Sequence, residues 1–134
     1  MYGFSIELPG DFEPILARTT EALRQEGFGI LTVIDVQATL RDKLGIDFGP
    51  YRILGACNPS LAHQALSADP EIGLLLPCNV VIREARPGHV TVSFMDPEAV
   101  LGLTENPAIR ALGGNVRQRL LRVRETLKSP RGEA

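Results

Sequence analysis

The chain has 134 residues, which is one domain's worth, and a chain of this length buries roughly two-thirds of its unfolded surface without help from disulfides or metal. Apolar residues make up 44% and charged residues 22%, a globular balance far from the disordered regime, and with aromatics at 5% the core has to be mainly Leu, Val, Ile and Ala. A net charge of −2 argues against generic nucleic-acid binding. Charge is nonetheless uneven: residues 105–134 hold seven basic against three acidic side chains, a net +4, while residues 1–104 carry −6.

Tyr2, Phe4, Ile6 and Leu8 alternate with Gly3, Ser5 and Glu7, the pattern of a half-buried strand, and Pro9-Gly10 ends it. Nothing at this start has the basic segment, apolar stretch and cleavage site of a signal peptide. The longest apolar runs fall far short of the ~20 residues of a membrane span, and two cysteines are too few for a secreted disulfide scaffold. A cytoplasmic domain without membrane association is the expectation. Asp11 stands where an N-cap belongs, and Phe12, Ile15, Leu16, Thr19, Ala22 and Leu23 then repeat at helical spacing. Gly27 suits the left-handed residue that closes such a helix, with Phe28 packing back over its last turn.

Phe28 to Ile34 is rich in β-branched residues and predicts a second strand with apolar side chains on both faces. Asp35 is placed to cap a short helix over Val36 to Leu44, which Gly45 stops. Asp35, Arg41 and Lys43 read as a cap with solvated charges, or else as the rim of a pocket. Pro50 opens a third strand, Tyr51 to Cys57. Asn58-Pro59 marks a helix start, with Asn58 as cap and Pro59 in the first turn, and that helix runs to about Ala68. After Asp69-Pro70 and the Leu74 to Leu76 run, Cys78 to Glu84 forms a fourth strand. The Arg86-Pro87-Gly88 turn joins it to a fifth, Val90 to Met95, as a hairpin. Arg52 and Arg83 are expected on a strand face that is open to solvent or covered by a partner. A short helix follows Asp96-Pro97. Asn106-Pro107 starts the last helix, whose stripe is Ile109, Leu112, Val116, Leu120, Val123 and Leu127, with a kink or break expected at Gly113-Gly114. Residues 129–134 are expected to form a disordered tail on a single domain spanning 1–128. The resulting order is an α+β antiparallel sheet of about five strands with helices packed on one face.

Motifs for dinucleotides, phosphate loops, serine hydrolases and zinc proteases are all absent, so no cofactor is expected and no catalytic residue is established. The strongest constellation is Cys57-Asn58-Pro59 with Cys78. A cysteine next to a helix N-terminus has its thiolate favoured by free N–H groups and the helix dipole, and the same geometry suits a small anionic ligand held by Cys57, Asn58, Ser60 and Cys78. Against this stands the ordinary fate of free cysteines as small buried hydrophobes. His63 completes a three-ligand set with the two cysteines but lacks any recognised metal spacing, so metal is not expected and His63 reads as a half-exposed helix residue.

Gln25-Glu26-Gly27-Phe28-Gly29, the Tyr51-Arg52-Ile53-Leu54-Gly55-Ala56-Cys57-Asn58-Pro59 run and Leu76-Pro77-Cys78-Asn79-Val80 together resemble the family called domain of unknown function 302, over roughly residues 1–128. The resemblance implies a fold similar to one repeat of the TATA-binding protein, in the order β-α-β-β-β-β-α, and a homodimer. It implies no activity, no cofactor and no thiol chemistry, and a shared fold does not transfer function. Three readings follow. The first is a small homodimeric binding or interaction module with a modest pocket near the Cys57–Pro59 turn. The alternative is a thiol-dependent redox protein or enzyme using Cys57 with Cys78. The last is a nucleic-acid accessory protein, which the net charge disfavours.

Overall fold

A computed structural model describes residues 1–129; the tail expected over 129–134 lies outside the described residues except for Ser129. Five strands, β1 (Gly3–Pro9), β2 (Gly29–Asp35), β3 (Tyr51–Cys57), β4 (Cys78–Arg86) and β5 (His89–Met95), form one antiparallel sheet in the order β1-β5-β4-β3-β2. Helices α1 (Phe12–Gln25), α2 (Val36–Leu44), α3 (Pro59–Ala68), α4 (Pro97–Leu101) and α5 (Pro107–Lys128) occupy the connections and the C-terminal end, as the α+β reading expects. A 3-10 turn over Pro70–Leu75, not evident in the sequence pattern, follows α3.

The register fixes which residues enter the core. Leu8 pairs with Val90, Ile6 with Val92 and Phe4 with Phe94 across β1 and β5, and Val92 in turn pairs with Ile82 and Phe94 with Val80 on β4. Because side chains alternate, these rows share one face, and α1 and α5 lay Ile15, Leu23, Leu120, Val123 and Leu127 over it, all essentially inaccessible to water. Asparagine and aspartate caps set the helix starts: Asp35 Oδ1 accepts from the Ala38 N–H at 2.9 Å, and Asn106 Oδ1 from Ala108 at 3.0 Å. Asp11 sits at the α1 N-cap but its side chain makes no capping bond, contrary to expectation; its backbone carbonyl alone receives the Ile15 N–H.

The α1 terminus behaves as predicted. Gly27 has φ +88°, Phe28 N–H donates to Leu23 O and Gly27 N–H to Arg24 O, both at 3.0 Å, so the last carbonyls are satisfied and Phe28 folds back into the core. The expected break at Gly113-Gly114 is absent: α5 is one continuous helix of 22 residues. The glycine answers a packing need instead. A Cβ at Gly113 would stand 2.9 Å from Pro97 O and 3.4 Å from Leu101 Cβ, so the missing side chain lets α4 lie directly on α5.

The arginines also sort differently from expectation. Arg52 shares the helix-covered face with Leu54, where it pairs with Asp35 at 3.3 Å and Glu13 at 3.6 Å and lies over the Phe12 ring; Arg83 lies on the opposite face with Val81. Asp35 is thus a cap and an ion-pair partner, and Arg41 makes an exposed contact with Asp47. The basic surplus of α5 is largely used inside the domain. Arg117 meets Asp96 at 3.2 Å, Arg122 meets Glu26 at 2.9 Å, and Arg119 donates to Glu26 O at 3.2 Å. From the other side, Arg18 of α1 donates to Leu127 O and Ser129 O, at 3.0 and 2.8 Å. No helix is long and apolar enough to cross a membrane among the described residues.

Candidate functional site

Cys57 ends β3 and Cys78 opens β4, and the two strands pair there with Ala56 opposite Cys78. Both thiols are free, and both line the same cavity of about 250 Å³. The cavity lies at a seam. The main hydrophobic cluster contributes Phe28, Ala56, Cys78 and Val116, with Leu61 packed at its edge. A second cluster, built where α3, the 3-10 turn, α4 and the start of α5 converge, contributes Ala65 and Leu101, flanked by Leu76 and Leu112. Space remains between them because several positions that face it are small: Ala56, Ala62, Ala65 and Gly73. On the sheet side, a bulge in β2 between Ile30 and Thr32 brings Leu31, which is 65% exposed, to the rim.

Asn58 does what its type and position dictate. Its Oδ1 accepts the Leu61 N–H at 3.3 Å and its backbone carbonyl accepts the Ala62 N–H at 2.9 Å, fixing the first turn of α3. The carboxamide also packs against the end of α1, with Nδ2 2.9 Å from where a Cβ on Gly27 would stand. This cap leaves little for an anion. Pro59 has no N–H, the Leu61 and Ala62 donors are occupied, and Ser60 is exposed and outside the cavity lining.

The thiols are shifted away from thiolate character, opposite to the helix-terminus expectation. Burial pushes the Cys57 thiol above its ordinary value. Burial and the neighbouring Cys57 push Cys78 up to about 12. Desolvation in a hydrocarbon wall disfavours the charged form. Reactive cysteines stand in electropositive, partly exposed surroundings, whereas Cys78 is buried and Cys57, though partly exposed, borders an uncharged lining.

Of the residues singled out in the sequence, Cys57, Asn58 and Cys78 come together at the cavity. Ser60 is exposed and outside its lining. His63 points away: it is exposed and borders a shallow outer depression with Gln64, Ser67, Ala108 and Asn115. Helical spacing explains the split, since Leu61, Ala62, Ala65 and Leu66 occupy the cavity face and His63 the far one. Among the described residues no group of three or more His, Cys, Asp or Glu is placed to hold a metal ion. Leu101, Leu112 and Val116 line the cavity from more than twenty positions beyond Cys78, and only the place of Leu112 and Val116 on a helical stripe was legible beforehand.

The class defined by these features is a small α+β domain with one sheet face under two helices and a cavity at the seam of its two apolar clusters. Residues 4–127 match the family described as domain of unknown function DUF302, and the chain belongs to it. It is also similar to a crystal structure of an uncharacterized conserved DUF302 protein from Bacillus stearothermophilus, with a TM-score of 0.83 and 29% identity over 92% of this chain and 95% of that one. Curated proteins include none that matches. Neither the family nor this neighbour indicates a specific function.

Proposed function

We propose that this chain is a cytoplasmic binding module that works as a homodimer and holds a small ligand in the cavity beside Cys57. The observation that carries the ligand reading is the cavity itself: an apolar, partly open volume of about 250 Å³ with an exposed rim at Leu31 and the β3–α3 turn. Well-packed interiors leave few voids larger than a water molecule, so a space of this size is a candidate site. Two free cysteines agree with a reducing compartment. The test is direct. N-phenyl-1-naphthylamine, a neutral dye that brightens in apolar sites, should fluoresce with the native protein, and Ala65→Phe, which fills the cavity, should abolish the gain. Native protein that leaves the dye dark would sink the ligand reading.

The dimer reading rests on β2. It is an edge strand, uncharged from Gly29 to Ile34, with Leu31 65%, Val33 56% and Ile34 48% exposed. Such an edge invites pairing with another strand, and a second copy running antiparallel would meet the same unpaired backbone groups and the same apolar side chains. Since α5 spends Arg117, Arg119 and Arg122 on partners within its own domain, apolar rather than charge docking is favoured. Sedimentation at micromolar concentration should give a dimer in both low and high salt, and Val33→Lys should give a monomer. A 14.6 kDa species throughout would remove this part of the reading.

A further inference from the structure

The chemistry of the cavity wall restricts what it can hold. None of its lining side chains carries a formal charge, and the only polar side chains among them are Asn58 and the two thiols. Resting on the reading of this cavity as a ligand site, we infer that its ligand is an uncharged, mainly hydrocarbon molecule with no more than one hydrogen-bond acceptor, placed at the Cys57–Asn58 end.

Volume sets the size. An apolar cavity of about 150 Å³ suffices for benzene. The 250 Å³ here takes something larger, on the scale of a substituted single ring or an alkyl chain of about eight carbons held within it, or a bulkier ring system such as N-phenyl-1-naphthylamine that extends through its open side. Charge inside the lining is disfavoured by desolvation. An ion moved out of water into this lining loses its hydration and gains no countercharge, and charges buried without partners are strongly disfavoured.

The hydrogen-bond supply at the inner end of β3 is equally limited. Asn58 Oδ1 and the backbone carbonyl of Asn58 already accept from Leu61 and Ala62, and Pro59 donates nothing. What remains among the lining side chains is the Asn58 Nδ2 group and the two weakly donating thiols. These match one neutral acceptor such as a hydroxyl or carbonyl oxygen, whereas a carboxylate or phosphate needs several charge-assisted donors. The anionic ligand suggested by the Asn58-Pro59 helix start therefore fits this site poorly, because the cap that makes the helix also consumes its donors.

The test uses the full chain and a matched series, 1-octanol, octanoate, octylamine and inorganic phosphate, reading the rate at which a maleimide modifies Cys57. Octanol should slow modification several-fold at pH 7.5, octanoate and octylamine should need at least ten times the concentration, and phosphate should have no effect. Ala65→Phe should remove octanol protection with the melting temperature held within a few degrees, and Ala62→Leu provides a milder filling should the first variant fold poorly. Protection by octanoate, octylamine or phosphate at lower concentration than octanol would overturn the ligand class while keeping the cavity as a site. Failure of the whole series to protect, with N-phenyl-1-naphthylamine still bound, would also overturn the class. Failure of both probes would remove the site.

Discussion

The two apolar clusters draw on similar residues and share helix α5, yet they pack to different standards. In the larger one, sheet rows such as Ile82, Val92 and Val90 meet the Leu23, Val123 and Leu127 stripes, and all six are 0% exposed. In the smaller one, Ala65, Ile72, Leu101 and Ile109 come from four short or terminal segments, and the cavity lies where this cluster abuts the first. A regular sheet face against long helical stripes offers matched rows that interdigitate. Short helices arriving at different angles do not, and small side chains at the junction leave the mismatch open. The region that packs less well is the one with room for a ligand.

Truncations should expose that contrast. Leu120 is 1% exposed on the full side, and Leu120→Ala should cost about 2–5 kcal/mol through lost transfer energy and a new cavity. Leu112 already borders empty space, so Leu112→Ala should cost only about 1 kcal/mol. Urea unfolding of the two variants measures both, and equal losses would mean that the seam is packed like the core.

Alkaline titration sharpens the same point at Cys78, which stands between the clusters. Its folded pKa is raised from 9.0 to about 12, so the thiol favours the folded state fully below pH 9 and that advantage is lost as pH rises toward 12, because the unfolded chain ionises first. One unit above the unfolded value, at pH 10, the loss is about 1.4 kcal/mol. Comparing stability at pH 8 and pH 10 for native protein and Cys78→Ala isolates this contribution from other groups. If the two lose stability equally, the Cys78 surroundings are wetter than the packing implies.

Much of this was legible in local pattern. The alternation of Phe4, Ile6 and Leu8, the caps Asn58, Asp35 and Asn106, the closing Gly27 and the Arg86-Pro87-Gly88 turn each announce themselves through neighbours a few residues away. They fix element type and order, and with them the α+β class. The convergence of Cys57 with Cys78 follows from β3 and β4 pairing, and part of the site was therefore visible as two strand ends beside a capped helix.

What local pattern left open depends on residues far apart in the chain. Gly113 reads as a helix breaker until Pro97 O is seen against it, and Arg52 reads as a cation on a face open to solvent or covered by a partner until Phe12 and Glu13 are placed over its strand face. His63 and Ala65 sit two positions apart on one helix, and only the position of the second cluster decides which faces the cavity. Ala62 and Ala65 look like ordinary helix formers in sequence. They become missing volume when Leu101 and Leu112 are brought opposite them, and that missing volume, with the desolvation that keeps both thiols protonated, exists only in the folded chain.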